Sequence, residues 1–104
     1  MEIDVLTLKA LRDNGEPHAI LDVREADEIA ICRIDGAVHI PMQQVPARLA
    51  DVPADMALVV LCHHGSRSGM VTRFLRERGF DQAVNLRGGI DAWAVAVDPE
   101  MARY

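Results

Sequence analysis

Leu58-Val59-Val60-Leu61-Cys62-His63-His64-Gly65-Ser66-Arg67-Ser68-Gly69 holds reactive residue types in an order that suits covalent chemistry. An apolar, β-branched run stops at a cysteine, a short polar loop follows, and a helical pattern then begins. A cysteine at such a junction faces converging backbone N–H groups and the positive end of a helix dipole. That setting favours the thiolate, which is the nucleophilic form. Free cysteines often fill core space and are inert. Cys62 differs in ending a strand pattern and opening a glycine-containing loop. The N–H groups from His63 to Ser68 can then point inward as an anion-binding nest. A nest of this kind lowers a thiol from its usual value near 8.5 toward the roughly 3.5–7.5 range of activated cysteines. It would equally stabilise a terminal sulfur anion carried on Cys62.

The chain that must position this loop has 104 residues, half of them apolar, which suits one domain, 1–104, with a single core. No internal repeat or low-complexity tract stands out. No apolar run approaches the roughly 20 residues of a membrane span. Met1-Glu2-Ile3-Asp4 lacks the basic and apolar regions of a signal peptide, so a soluble cytoplasmic protein is the expectation. Two cysteines without a Cys-x-x-Cys do not form a disulfide framework, and Cys32 and Cys62 are expected as free thiols. The formal net charge of −5 is uneven. Residues 1–62 carry 5 basic and 11 acidic side chains, whereas residues 63–104 carry 6 basic and 5 acidic. The acidic total argues against nucleic-acid binding. The arginines after Cys62 still allow a small anion to approach the loop. Arg73 and Arg76 read equally well as a solvated helix face, while Arg67 lies within the loop itself.

Strand and helix patterns alternate along the chain. Ile3-Asp4-Val5 reads as a short edge strand, and Thr7 to Asn14 as a helix stopped by Gly15. Ala19-Ile20-Leu21 is a strand ending in Asp22, and Glu25 to Ile31 a short helix with an acidic first turn. Ala37 to Ile40 is a strand ended by Pro41, and Val45 to Leu49 a short helix. Ala57 to Leu61 has the continuous apolar character of a buried parallel strand. Met70, Val71, Phe74 and Leu75 share a face of a helix from Arg67 to Arg78, with Gly79 as its cap. Ala83 to Leu86 is a last strand, Gly88-Gly89 a turn, Ile90 to Val95 a helix carrying Trp93, and Asp98 to Tyr104 a tail. The class is therefore α/β, an open and mostly parallel sheet of about five strands with helices on both faces. Ligands in such sheets bind beyond the carboxyl ends of the strands. Cys62 falls at that edge, with Asp22 and Arg24 beside it.

Cys62-His63-His64-Gly65-Ser66-Arg67-Ser68 resembles the active-site loop of the rhodanese family of sulfurtransferases. Leu21-Asp22-Val23-Arg24, with Glu28 after it, is similar to the family's Asp-Val-Arg element, and Gly36-Ala37-Val38-His39-Ile40-Pro41 to its Gly-Ala-x-x-Ile-Pro element. Phe74-Leu75-x-x-x-Gly79-Phe80 and Leu86-x-Gly88-Gly89-Ile90-x-Ala92-Trp93 complete an ordered pattern over nearly the whole chain. The resemblance implies a rhodanese-like fold and a persulfide mechanism. Cys62 would take a sulfane sulfur from a donor such as thiosulfate and pass it to cyanide or a thiol in two covalent half-reactions. No metal or organic cofactor is implied. A non-catalytic persulfide carrier that delivers sulfur to a protein acceptor would use the same loop. Dual-specificity phosphatases share a related fold but place five residues between cysteine and arginine; here four separate Cys62 from Arg67.

The same resemblance assigns supporting roles. Asp22 is expected to accept hydrogen bonds from the loop, and Arg24 to pair with Glu28. Arg67 is expected to meet the anionic donor or to brace the loop. His63 and His64 would line the mouth of the site. A metal held by them with the cysteines is disfavoured, because adjacent residues in a tight loop rarely aim at one ion and zinc spacing is absent. Cys32-Arg33 departs from the Gly-His common in the family. Ile31-Cys32-Arg33 is similar to rhodanese domains fused to ubiquitin-like-activating proteins, a hint of a protein acceptor, although Cys32 also suits a small core space. The Gly88-Gly89 pair permits a close backbone approach near the loop, and Trp93 is expected to pack in the core.

Overall fold

An apolar run whose every side chain must be covered belongs at the centre of a parallel sheet, and Ala57–Leu61 takes that place. In the computed structural model, which describes residues 1–104 throughout, five strands form one sheet: β1 (Glu2–Ile3), β2 (His18–Asp22), β3 (Val38–His39), β4 (Ala57–Leu61) and β5 (Ala83–Leu86). Their spatial order is β1-β5-β4-β2-β3, and every neighbouring pair is parallel. Helices α1 (Val5–Asp13), α2 (Ala26–Ile31) and α3 (Ser66–Glu77) and a 3-10 segment at Met42–Asp51 connect successive strands, and α4 (Gly89–Ala96) follows β5.

The two-residue period of β4 sorts its side chains onto two faces. Leu58, Val60 and Cys62 join a core with Val71 and Leu75 of α3 and Val45 of the 3-10 segment. Val59 and Leu61 join a second core with Val5 and Leu8 of α1 and Ile90 and Trp93 of α4. Each fully buried Leu or Val contributes on the order of 1.5–3 kcal/mol through removal of apolar surface from water. The same alternation aims Cys62 at the α3 side, under that helix's first turn.

Several boundaries differ from the sequence expectation. The first strand stops at Ile3, because Asp4 is an N-cap rather than a strand residue. Its Oδ1 accepts from the Thr7 N–H at 2.8 Å and from the Thr7 hydroxyl at 2.7 Å, so α1 begins at Val5. The segment after Pro41 is longer than expected and 3-10 in character, with Pro46 removing an α-helical donor inside it. The tail also docks. Arg103 pairs with Asp91 of α4, and Met101 packs against the α1–α4 core. No helix is long and apolar enough to cross a membrane.

Candidate functional site

β4 delivers Cys62 to the carboxyl edge of the sheet, where its side chain is 1 % exposed. The loop that follows is held from outside by its carbonyls. The Cys62 and His63 carbonyls accept from the Ile90 and Asp91 N–H groups of the α4 first turn, at 2.9 and 3.1 Å. The Gly65 carbonyl accepts from Asn85 Nδ2 at 3.0 Å and from the Gly69 N–H at 3.0 Å. With the carbonyls drawn away, N–H groups are left to face the sulfur. Gly65 N–H donates to Cys62 Sγ at 3.1 Å, and the Ser68 hydroxyl lies 3.2 Å from it. Burial pushes the thiol up, but hydrogen bonds from the Ser68 hydroxyl and from the N–H groups of Ser68, Gly65 and His64 outweigh it, so Cys62 titrates below its ordinary value.

Two glycines make this curl possible. Gly65 has φ of 109°, in the left-handed region that side chains resist. Gly89 lets α4 approach: a Cβ there would press on the His63 carbonyl oxygen and lie 2.6 Å from that of Cys62.

Ser68 is fully buried and has two claims on one proton. Its Oγ lies 2.6 Å from Asn85 Oδ1 as well as 3.2 Å from Cys62 Sγ. The Asn85 amide orientation is fixed by its Nδ2 donation to Gly65, so Oδ1 can only accept. The hydroxyl therefore donates to Asn85 when Cys62 is a thiol, and turning it toward the sulfur serves a thiolate. Asn85 was not anticipated from sequence. It is the one polar side chain in Ala83-Val84-Asn85-Leu86, and a polar residue inside an apolar parallel strand was the available signal.

The charged residues pair differently from expectation. Asp22 does not bond the loop. Both its oxygens accept from the Arg24 guanidinium, from Nε at 2.9 and 3.1 Å and from Nη2 at 2.7 Å, and Oδ1 also accepts the Arg24 N–H at 3.1 Å. Asp22 and Arg24 are 1 % and 0 % exposed, and two buried charges two residues apart at a strand end satisfy each other. Nor does Arg24 pair with the Glu28 carboxylate; its Nη1 and Nη2 donate to the carbonyls of Glu28 and Cys32 at 3.3 and 2.8 Å. The Glu28 carboxylate instead takes Arg67, with Nη1 on Oε1 at 2.6 Å and Nη2 on Oε2 at 2.9 Å. That bidentate partner holds the Glu28 carboxyl well below the usual carboxylate range. Arg67 thus braces α2 against the first turn of α3.

His64 is exposed, and His63 is half-buried with its ring stacked 3.8 Å from Tyr104 and 3.9 Å from His64. The buried His63 Nε2 has no hydrogen-bond partner. No three His, Cys, Asp or Glu side chains are grouped to hold a metal ion. Cys32 is half-buried, 3.9 Å from Arg24 Nη1, and packs against the α1–α4 core. Ser66 is exposed at the start of α3.

The chain is similar to known proteins in sequence and fold. A 37 % identical "Sulfurtransferase" of Allochromatium vinosum aligns over 93 residues, 89 % of this chain and 87 % of that protein. The maize "Adenylyltransferase and sulfurtransferase MOCS3-1" is 39 % identical over 103 residues, covering 92 % of this chain; the chain spans only 22 % of that longer relative. The crystal structure of SSP1007 from Staphylococcus saprophyticus superposes with a TM-score of 0.84 at 35 % identity, covering 93 % of this chain and 97 % of that one. The Rhodanese-like domain family model matches residues 4–96, and with the cysteine loop closed over that span this chain belongs to the rhodanese-like family.

Proposed function

We propose that this protein is a sulfurtransferase that carries sulfane sulfur as a persulfide on Cys62. The observation that carries the reading is the inward ring of donors at Cys62 Sγ, with Gly65 N–H at 3.1 Å and the Ser68 hydroxyl at 3.2 Å, braced by carbonyls bonded outward. Sequence likeness to a sulfurtransferase of nearly the same length supports it.

In the first half-reaction the Cys62 thiolate attacks the outer sulfur of a donor such as thiosulfate. A Cys62 S–S bond forms, the donor's S–S bond breaks, and sulfite leaves with the electron pair. The persulfide's terminal sulfur keeps one negative charge, which the loop N–H groups and the Ser68 hydroxyl stabilise. Arg67, one-third exposed beside the loop, supplies positive charge for the anionic donor. In the second half-reaction cyanide or a thiolate attacks the terminal sulfur, and Cys62 leaves as the thiolate from which the cycle began. The free thiols of Cys32 and Cys62 suit a reducing compartment, and the cytoplasm is the location this reading favours.

Incubation with thiosulfate should add the mass of one sulfur atom to the wild-type protein and to Cys32→Ala, and none to Cys62→Ala. Loss of the adduct in Cys32→Ala with retention in Cys62→Ala would overturn the assignment. Repeated turnover with cyanide or a small thiol marks an enzyme; loading with a single discharge to one protein partner marks a carrier. Hydrolysis of an activated aryl phosphate would favour a phosphatase instead.

A further inference from the structure

The Glu28 carboxylate has a feature that the Arg67 ion pair does not require. Each of its oxygens accepts a second donor. Oε1 takes the Glu25 N–H at 3.0 Å in addition to Arg67 Nη1, and Oε2 takes the Tyr104 hydroxyl at 2.6 Å in addition to Arg67 Nη2. Tyr104 lies 76 residues from Glu28 and reaches it only because the tail is docked. Arg103 is paired with Asp91 of α4, and the Tyr104 ring stacks on His63 at 3.8 Å with planes 10° apart. Arg24 Nη1 donates to the Tyr104 oxygen at 3.2 Å, and Arg24 is itself locked by Asp22. With its acceptor side occupied by Arg24, the phenol's own proton is directed at Glu28. Burial, with the Glu28 charge adding to it, pushes that phenol up to about 12, so it keeps its proton through neutral pH.

We propose that Tyr104 is a positioning residue that holds Glu28 in place while Arg67 exchanges from that carboxylate to an anionic sulfur donor. Glu28 is only 15 % exposed. A carboxylate so placed resists losing its donors, because an unsatisfied buried charge carries a large desolvation penalty. When Arg67 departs, Glu25 N–H still serves Oε1 and the Tyr104 hydroxyl still serves Oε2. Glu28 then stays where Arg67 can return to it, and the exchange costs less. Without the hydroxyl, Oε2 would be left bare, and Glu28 would hold Arg67 more tightly against the incoming anion. Tyr104 touches neither the reacting sulfur nor, in this scheme, the donor. The inference rests on the reading of Cys62 as the sulfur-accepting nucleophile and of Arg67 as the group that meets the donor.

Sulfur loading of Cys62 by thiosulfate, followed by intact mass under single-turnover conditions, reads the effect. Tyr104→Phe keeps the ring stack and removes only the hydroxyl. It should raise the half-saturating thiosulfate concentration roughly three- to tenfold, the scale of one partly exposed hydrogen bond to a charge. The limiting loading rate should not change, nor should the rate at which neutral iodoacetamide alkylates Cys62. In a Glu28→Gln background the Tyr104→Phe shift should disappear, since the carboxylate it acts through is gone. A wild-type protein that loads sulfur with a half-saturation unchanged in Tyr104→Phe overturns the inference and leaves the sulfurtransferase reading standing. So does a shift that persists in Glu28→Gln, or a parallel loss of alkylation rate, either of which would make the residue merely structural. A wild-type protein that takes no sulfur at Cys62 overturns the sulfurtransferase reading, and this inference falls with it.

Discussion

Removing the Ser68 hydroxyl isolates what the side-chain donor adds to the backbone nest. The hydroxyl sits between two acceptors, 2.6 Å from Asn85 Oδ1 and 3.2 Å from Cys62 Sγ, and has one proton for both. Its benefit to the thiolate is therefore a difference. A hydrogen bond to a charged acceptor is worth about 1.5–3 kcal/mol net, and the neutral bond to Asn85 given up for it about 0.5–1.5 kcal/mol. The remainder is on the order of 1 kcal/mol, close to one pKa unit at 1.36 kcal/mol per unit. Ser68→Ala should thus raise the Cys62 pKa by about one unit. The assay is the rate of Cys62 alkylation by iodoacetamide from pH 5 to pH 10, on a Cys32→Ala background so that one thiol reports. The profile should move to higher pH with its plateau preserved, because the plateau reflects a thiolate that is fully formed in both proteins. Superimposable profiles would refute the reasoning and leave the backbone N–H groups as the whole source of activation.

Other perturbations follow from the same geometry. Asn85→Asp should raise the Cys62 pKa further than Ser68→Ala does, since it places a negative charge beside Ser68 and removes the Nδ2 donor that holds the Gly65 carbonyl; the same alkylation profile checks it. Gly89→Ala forces a Cβ against the carbonyls of His63 and Cys62 at a φ of 62°, and should cost about 1–3 kcal/mol or more in denaturant unfolding together with sulfur loading. Glu28 gives a pH signature with a definite sign. Its folded pKa is depressed by Arg67, so its contribution to stability is fully present above the unfolded value of about 4.3 and is lost as pH falls toward the folded value. Melting temperature in the wild type should therefore fall more steeply below about pH 4 than in Glu28→Gln.

The fold of the cysteine loop was legible because all of its signals are local. A β-branched run that ends at Cys62, a glycine three residues on and a helical period from Arg67, one residue inside the observed start of α3, describe the strand, the curl and the helix without reference to the rest of the chain. Parallel β4 at the sheet centre followed from the same run. What escaped the sequence reading is what crosses long separations. Arg67 meets Glu28 over 39 residues, Ser68 meets Asn85 over 17, and Tyr104 meets Glu28 over 76. Arg24 and Glu28 are separated by a helical turn, which suggests a pair, but the end of β2 buries Arg24 against Asp22 and turns Glu28 outward to α3. Asn85 left a faint mark as a polar residue in an apolar strand. Tyr104 left none, since an isolated aromatic in a tail has no period that predicts docking.

If the loop holds sulfur as proposed, α4 is what prepares it. A nest of N–H groups is stable as an anion site only if the carbonyls between them have partners elsewhere, because carbonyl oxygens turned inward would cancel the field. The Ile90 and Asp91 N–H groups and the Asn85 amide take those carbonyls, and Gly89 removes the side chain that would keep α4 at a distance. The donors nearest Sγ come from positions three and six after Cys62, Gly65 N–H at 3.1 Å and the Ser68 hydroxyl at 3.2 Å. On the proposed reading, the four residues between Cys62 and Arg67 suit one bound sulfur, whereas the three oxygens of a phosphoryl group would call for a longer loop. Inserting one glycine between Gly65 and Ser66 should therefore weaken persulfide retention, seen as faster loss of the sulfur adduct in buffer, while admitting arsenate or vanadate as inhibitors of Cys62 alkylation. An inserted protein that held its adduct as long as the wild type would show that loop length does not set the preference.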